Sequence, residues 1–126
     1  MRIFKYPRFN RFADKEGISD IELREMVQKL EMGQASQASW RADLGGGVYK
    51  IRLARPGEGK SSGYRVILYF RNDFRTFLVY GFSKSDRDNI NERELKAFKA
   101  DANDQFTLTN DQIETRLLDG TLIEVH

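Results

Sequence analysis

The sequence predicts an α+β fold in which N-terminal helices pack on a small antiparallel sheet and further helices follow at the C-terminal end. Two segments with helical periodicity come first, three consecutive strand-like runs occupy the middle, and two capped helical segments come last. The chain has 126 residues, which is enough for one domain with a modest core. We therefore treat residues 1–126 as a single domain.

Two helices are predicted near the N-terminus. In residues 7–15, Phe9, Phe12 and Ala13 recur at positions that share one face of a helix. Before residues 20–32, Ser19 and Glu22 have the spacing of a capping box. The apolar stripe of this second segment consists of Leu23, Met26, Val27 and Leu30, and Gly33 follows it as a stop.

Three strand-like runs follow a predicted loop over residues 33–47. They span residues 48–54, 64–71 and 75–82, are rich in β-branched and aromatic residues, and the last two are joined by a short turn. The glycine run 45–47 is not followed by the lysine and helix of a phosphate loop. We therefore interpret it as a flexible entry to the first of these strands.

Two further capping boxes predict the C-terminal helices. Asn91 and Glu94 have the required spacing, and Thr109 and Gln112 repeat it. Gly120 ends the second of these helices, and residues 122–125 are the candidate for a last strand. From this order we expect one layer of helices against one sheet.

The composition excludes several classes of protein. The 40% hydrophobic and 32% charged residues are typical of a globular domain, and no apolar run approaches the ~20 residues of a membrane span. The N-terminus lacks the apolar core of an export signal, so we expect a cytoplasmic protein without a membrane partner. There is no cysteine, and His126 is the only histidine, so we expect neither a metal nor another cofactor.

Positive charge is concentrated in the middle of the chain. Residues 41–71 carry seven basic and two acidic side chains, a balance of about +5, whereas residues 101–126 carry six acidic side chains and one arginine, about −5. Concentrated positive charge is the usual mark of a phosphate-bearing partner. Balancing this charge for solubility is one sufficient explanation of the acidic end.

Three of the basic residues are expected to meet on the sheet. Lys50 and Arg52 alternate with apolar residues in one strand, and Arg65 is out of phase with Val66 and Leu68 in the next. If both apolar sets face the core, these three cations converge on the exposed face of neighbouring strands, where a phosphodiester would relieve their repulsion. Solvated outward charges explain the same pattern equally well. The aromatic residues Trp40, Tyr64, Tyr69, Tyr80 and Phe82 are more readily explained as core than as platforms for bases.

Three stretches resemble the HigB-like branch of the RelE-superfamily toxins. They are Leu44-Gly45-Gly46-Gly47-Val48-Tyr49-Lys50-Ile51-Arg52-Leu53-Ala54-Arg55, then Gly59-Lys60-Ser61-Ser62-Gly63-Tyr64-Arg65, and finally Tyr80-Gly81-Phe82-Ser83-Lys84-Ser85-Asp86-Arg87-Asp88-Asn89-Ile90. The likeness lies in their joint order and spacing and covers most of the chain. It implies N-terminal helices on an antiparallel sheet, ribosome-dependent cleavage of mRNA, and neutralisation by a co-encoded antitoxin, often of the helix-turn-helix type.

The resemblance also implies roles for individual residues. Lys50 and Arg52 match the basic pair on the family's central strand, and Arg65 matches the arginine after the Gly-Tyr motif; these three are the candidate catalytic residues. The candidate RNA-binding residues are Arg55, Lys60, Tyr64, Lys84 and Arg87. Ser85 replaces a further family arginine, and Ile90 or Asn91 stands where the family has a base-stacking tyrosine, which leaves open whether Arg87 or Tyr80 substitutes and which group is the general acid.

The implied reaction is attack of an RNA 2′-hydroxyl on the adjacent phosphate, giving 2′,3′-cyclic phosphate and 5′-hydroxyl ends. Arginine forks suit the charge on the phosphate, and Lys50 could act as base if its neighbours lower its pKa. Two other functions fit the same chain. One is a non-catalytic ParE-like toxin that inhibits DNA gyrase, and the other is an RNA- or ribosome-binding domain without turnover.

Overall fold

The computed structural model describes residues 1–33, 41–54, 63–71 and 74–126. Within these ranges the helices are α1 (Pro7–Glu16), α2 (Asp20–Glu31), α3 (Glu92–Phe106) and α4 (Asn110–Asp119). The strands are β1 (Arg2–Lys5), β2 (Arg41–Gly45), β3 (Val48–Leu53), β4 (Tyr64–Phe70), β5 (Arg75–Ser83) and β6 (Ile123–Val125). The α+β fold class is confirmed.

One mostly antiparallel sheet organises the described residues, with the strand order β2-β3-β4-β5-β1-β6. β2 to β5 form an antiparallel ladder, β1 pairs parallel with β5, and β6 adds antiparallel to β1. The predicted strands in the centre agree closely with β3, β4 and β5. Two strands were not predicted: β1, and β2, which lies in the segment expected to be a loop.

Helices cover both faces of the sheet. Val66 and Leu68 of β4 pack in one apolar cluster with residues of α1 and α2, whereas the alternating Ile67 and Tyr69 pack in a second cluster with residues of α3 and α4. We call these the α1/α2 face and the α3 face. The expectation of a single helix layer was therefore wrong, because the apolar stripe of α3 needs a partner and the second face of the sheet supplies it.

The helix starts follow the predicted caps. The side chains of Ser19, Asn91 and Thr109 each accept a hydrogen bond from the backbone three residues on, and the last two complete reciprocal capping boxes. α1 begins differently, with Pro7 at its first turn and no side-chain cap.

The glycine run forms a tight turn rather than a flexible entry. Gly46 and Gly47 connect β2 to β3 with φ angles of 63° and 83°, values that glycine adopts without strain. The Gly47 carbonyl oxygen also accepts a hydrogen bond from the Phe70 backbone at 2.8 Å, which ties the turn to β4. This hairpin fixes the start of β3, the strand that carries Lys50 and Arg52. No helix of the described residues has the length and apolarity needed to cross a membrane.

Candidate nucleic-acid interface

The register of β3 and β4 brings the three candidate catalytic cations together. Arg52 pairs directly with Arg65, and Lys50 lies two residues before Arg52, so all three side chains leave the same side of the sheet. Lys50 pairs with Ile67, which packs against α3, so this side is the α3 face. The cations therefore lie on the α3 face rather than on a face that helices leave bare.

The three cations differ in exposure. Arg52 is exposed and Lys50 is half-buried, but Arg65 is only 5% exposed. Arg65 was expected on an exposed face; it is buried because β4 lies between β3 and β5 and every residue of β4 is buried. One Arg65 Nη1 hydrogen bond goes to the Tyr64 carbonyl oxygen at 3.3 Å. The site therefore combines a fixed, buried guanidinium with a neighbouring guanidinium that faces solvent.

Lys50, Arg52 and Arg65 form what we call the cation cluster. Burial and mutual repulsion lower the pKa of two of its members. The pKa of Lys50 is lowered from its ordinary value, first because burial disfavours the ammonium form and then because Arg65, Lys84 and Arg52 repel it. The pKa of Arg65 is lowered by burial and by Arg52, although an arginine stays charged at any physiological pH. An anion on this surface would be stabilised by all of these groups.

The segment that follows β5 adds Lys84 to this surface and contacts Lys50. The Lys84 ammonium forms an ion pair with Asp88 Oδ1 at 3.0 Å, and Lys50 Nζ donates to Asn89 Oδ1 at 3.2 Å. The Lys84 backbone N–H donates to the Gly63 carbonyl at 3.1 Å, which attaches this segment to the start of β4. The pKa of Asp88 is lowered, first by Lys84 and also by Lys50 and Arg65, so its carboxylate is an anion at this surface.

Arg87, a candidate RNA contact, is engaged within the protein. Its guanidinium pairs with both carboxylate oxygens of Glu94, with Nη1 to Oε2 at 2.8 Å, and Nη1 also donates to the Tyr80 hydroxyl at 3.0 Å. Its Nε donates to the Asn89 carbonyl oxygen at 2.9 Å. Because Glu94 belongs to the capping box of α3, Arg87 attaches the segment after β5 to the start of that helix.

Tyr64 is not placed to contact RNA from the cation cluster. Its ring is 3% exposed, packs in the core with α1 and α2, and meets the Phe12 ring edge-on at 5.6 Å. The prediction of an RNA-binding role is therefore not supported. The sequence held the signal, since Tyr64 is in phase with Val66 and Leu68, which point to the α1/α2 face.

Of the remaining candidate RNA-binding residues, one lies in the described part of the chain and two do not. Lys84 is exposed beside the cluster. Arg55 and Lys60 lie outside the described residues. Sequence reasoning missed Asp88 and Asn89 as neighbours of the lysines, although both belong to the stretch that carries the family resemblance; irregular segments offer no periodicity from which to infer direction.

A small cleft adjoins the cation cluster. It has a volume of about 110 Å³, and Lys50 and Asn89 form one side of it. Its apolar wall consists of Leu44, Ile90 and Leu95, all half-buried, and the start of α3 closes it. An apolar surface beside a group of cations suits a ligand that combines a flat ring with a phosphate.

Comparison with known proteins gives one result that agrees with this geometry. A family model described as the RelE toxin of the RelE/RelB toxin–antitoxin system matches residues 1–125. The match includes every strand and helix described above and the whole cation cluster. The chain therefore belongs to the RelE toxin family of toxin–antitoxin systems.

Proposed function

We propose that this protein is a ribosome-dependent endoribonuclease that cleaves mRNA without a metal ion, as one domain of residues 1–126 close to the HigB-like branch. The observation that carries the proposal is the direct pairing of Arg52 with Arg65, with Lys50 on the same face. Two arginine forks and a lysine on rigid strands match the needs of a phosphodiester that must be held and activated.

The reaction proceeds by transfer of the phosphate from the 5′-oxygen to the 2′-oxygen. The RNA 2′-oxygen forms a bond to phosphorus while the bond from phosphorus to the 5′-oxygen breaks, which leaves a 2′,3′-cyclic phosphate and a 5′-hydroxyl. Lys50 accepts the proton from the 2′-hydroxyl, and the leaving 5′-oxygen takes a proton from water. The lowered pKa of Lys50 supports this role, since it increases the fraction of neutral amine at physiological pH.

Arg52 and Arg65 stabilise the charge that develops on the phosphate oxygens. Arg65 is buried and fixed, so its donors need no reorganisation when the charge appears, while exposed Arg52 can close on the substrate. Lys84 binds a flanking phosphate. We assign Arg55 and Lys60 as further RNA contacts from their place in the sequence, between β3 and β4.

Arg87 has a different role in this proposal from the one its charge first indicated. Its donors are committed to Glu94, Tyr80 and Asn89, so it holds the segment after β5 in place. It contacts RNA at most through its outer edge.

The ribosome supplies the substrate alignment that the cation cluster does not provide by itself. Rapid cleavage needs in-line alignment of the attacking and leaving oxygens, which an mRNA codon held on the ribosome can provide and free RNA does not. We therefore expect slow cleavage of free RNA and fast cleavage on the ribosome, in the cytoplasm. Control of such an activity requires a co-encoded antitoxin, for which we propose a protein with a helix-turn-helix domain.

Single-turnover cleavage of mRNA on programmed ribosomes tests the assignment. We expect Lys50→Ala, Arg52→Ala and Arg65→Ala each to lower the rate by about 100-fold, the usual loss when a group that stabilises the transition state is removed. The matched control is Arg11→Ala, an exposed arginine on α1, which should cleave at the wild-type rate. Unchanged rates in all three cluster variants would contradict the proposal.

The same experiment separates the other two functions. A ParE-like inhibitor of gyrase would leave mRNA intact and cause DNA damage in cells that express it. A binding domain without turnover would bind RNA or ribosomes with steep salt dependence and create no 5′-hydroxyl ends.

A further inference from the structure

Asn89 is fixed at the cation cluster from three directions. Its side-chain oxygen Oδ1 accepts hydrogen bonds from Lys50 Nζ at 3.2 Å and from the Ile90 backbone N–H at 2.9 Å. Its backbone carbonyl accepts a hydrogen bond from Arg87 Nε at 2.9 Å. The Ile90 bond requires an oxygen at the Oδ1 position, so the amide presents an acceptor to the lysine.

The support for Asn89 extends into the helix behind it. Arg87 is held by Glu94 and by the Tyr80 hydroxyl, and Glu94 also accepts a hydrogen bond from the Asn91 backbone at 2.9 Å. These bonds make a continuous connection from the start of α3, through Arg87, to the backbone carbonyl of Asn89. The backbone of an exposed residue is thereby held by a regular element, and the Ile90 bond then orients its side chain.

We propose that Asn89 is a positioning residue that holds the Lys50 amine as the proton acceptor for the attacking 2′-hydroxyl. The inference rests on the proposed nuclease function. A neutral amine has two N–H bonds and one lone pair. When one N–H group donates a hydrogen bond to Asn89 Oδ1, the direction of the lone pair is restricted, and it can be kept toward the substrate side of the cluster.

The group that accepts the hydrogen bond from Lys50 is an uncharged amide, whereas the group that pairs with Lys84 is a carboxylate. Asp88 carries a carboxylate, and its oxygen bonds Lys84, whereas the amide of Asn89 bonds Lys50. A carboxylate at position 89 would stabilise the ammonium form of Lys50 and remove the base. An amide gives the same geometry without that charge.

Among the described residues, the charged groups around Lys50 come from β3 itself, from β4, from the segment after β5 and from α3. Arg52 lies on its own strand, Arg65 on β4, and Lys84 and Asp88 on the segment after β5. Glu92 of α3 lines the same cleft, and the β2 residue paired with Lys50 is Ala42. Of the charged groups that the structure describes near Lys50, three are cations and two are carboxylates, and the amide preserves this excess of positive charge.

Two isosteric substitutions with opposite expected effects test the proposal. Asn89→Asp adds a negative charge at the acceptor, and Asp88→Asn removes one beside it. The pKa of Lys50 is measured directly by NMR titration of its side chain, and the rate of single-turnover cleavage on ribosomes is measured against pH. We expect Asn89→Asp to raise the pKa of Lys50 and Asp88→Asn to lower it.

The cleavage rates should move accordingly. Below the pKa of Lys50, Asn89→Asp should cleave about fivefold more slowly than the wild type and should recover as the pH rises, since one added charge near 4 Å in a water-like medium changes the neutral fraction by that order. Asp88→Asn should shift the rising limb of the profile to lower pH. A merely structural role for Asn89 would lower the rate equally at every pH.

The NMR titration and the cleavage assay together show whether Asn89 positions Lys50. Opposite shifts of the Lys50 pKa in the two variants support the proposal. An unchanged Lys50 pKa in Asn89→Asp, or shifts of both variants in the same direction, would overturn it; Asp88→Asn keeps this test valid if Asn89→Asp fails to fold. If the wild type does not cleave mRNA but the NMR shifts are opposite, the nuclease function fails while Asn89 still controls Lys50.

Discussion

Arg52 and Arg65 are direct cross-strand partners, so two guanidinium groups share one position on neighbouring strands. Like charges directly opposite each other destabilise a sheet, and burial of Arg65 strengthens the effect. The pair therefore bears a repulsion that an anion bound between the two guanidinium groups would weaken. Stability and activity should respond in opposite directions when this pair is changed.

Replacing Arg52 with glutamine should separate these two effects. We expect Arg52→Gln to raise the free energy of unfolding by about 0.5 kcal/mol at low salt, since the cross-strand repulsion disappears, and to lose cleavage. The gain should shrink at high salt, where screening already weakens the repulsion. Urea denaturation measures this gain in unfolding free energy, with Arg11→Gln as the control. An Arg52→Gln protein that is less stable than the wild type would contradict the repulsion.

Gly81 is required by the ring of Phe12. A Cβ atom at position 81 would lie 2.4 Å from two carbons of that ring, a distance at which something must shift. We expect Gly81→Ala to lower the free energy of unfolding by about 2 kcal/mol. The double variant of Gly81→Ala and Phe12→Leu should lose less unfolding free energy than the two single variants lose together, as measured by chemical denaturation. Additive costs would mean that the ring is not the obstacle.

Asp101 joins α3 to β4 through Tyr69 and to the start of α1 through Tyr6. Its Oδ2 accepts hydrogen bonds from the Tyr6 and Tyr69 hydroxyls at 2.6 and 2.7 Å, and burial, followed by these bonds, raises the pKa of both tyrosines. Asp101→Ala should lower the free energy of unfolding by about 3 kcal/mol, because two partly buried hydroxyls lose their acceptor. Asp104→Ala, an exposed aspartate of the same helix, is the control and should change stability little.

The tyrosines give this prediction a second readout. In an alkaline absorbance titration of the folded wild type, Tyr6 and Tyr69 should remain protonated where ordinary tyrosines ionise. In Asp101→Ala they should ionise at lower pH than in the wild type. Identical titration curves would show that the carboxylate does not govern the two hydroxyls.

The ion pair of Arg2 with Glu124 predicts a pH dependence of stability. Two hydrogen bonds of 2.8 Å from Arg2 lower the pKa of Glu124 below its ordinary value of 4.5. The pair therefore stabilises the fold above pH 4.5, and this contribution is lost as the pH falls through the folded-state pKa.

The difference in unfolding free energy between wild type and Glu124→Gln should be below about 1 kcal/mol at pH 7, because both partners are partly exposed, and should vanish in acid. Thermal unfolding at a series of pH values measures it. Glu114→Gln, which removes the more exposed partner of Arg2, should have a smaller effect. A difference that grows on acidification would contradict the assignment.

The elements that the sequence predicted are those with local signals. The caps at Ser19, Asn91 and Thr109 and the alternation in β3 and β4 are properties of neighbouring residues. β1 has only four residues, three of them buried in succession, so it shows no alternation, and its partners lie far away in the chain. β2 contains few apolar residues and depends on its pairing with β3.

The candidate site likewise has a part that local sequence patterns predicted and a part that they did not. Alternation alone placed Lys50 and Arg52 on one face and Arg65 with them. The burial of Arg65 follows from the position of β4 inside the sheet, which no local pattern reveals. The contacts of Arg87 and Asn89 depend on where α3 begins against the sheet, a tertiary relationship that propensity and spacing do not encode.

The place of β1 in the sheet has a consequence for how the protein is made. β1 lies between β5 and β6, so both of its partners follow it far along the chain, and the Arg2 and Glu124 side chains that meet at its edge are 122 residues apart. Such distant pairings are slow to form during folding. The sheet cannot be completed until β6 has been added to the growing chain, so the edge of β1 that receives β6 stays open while β2 to β5 can already pair.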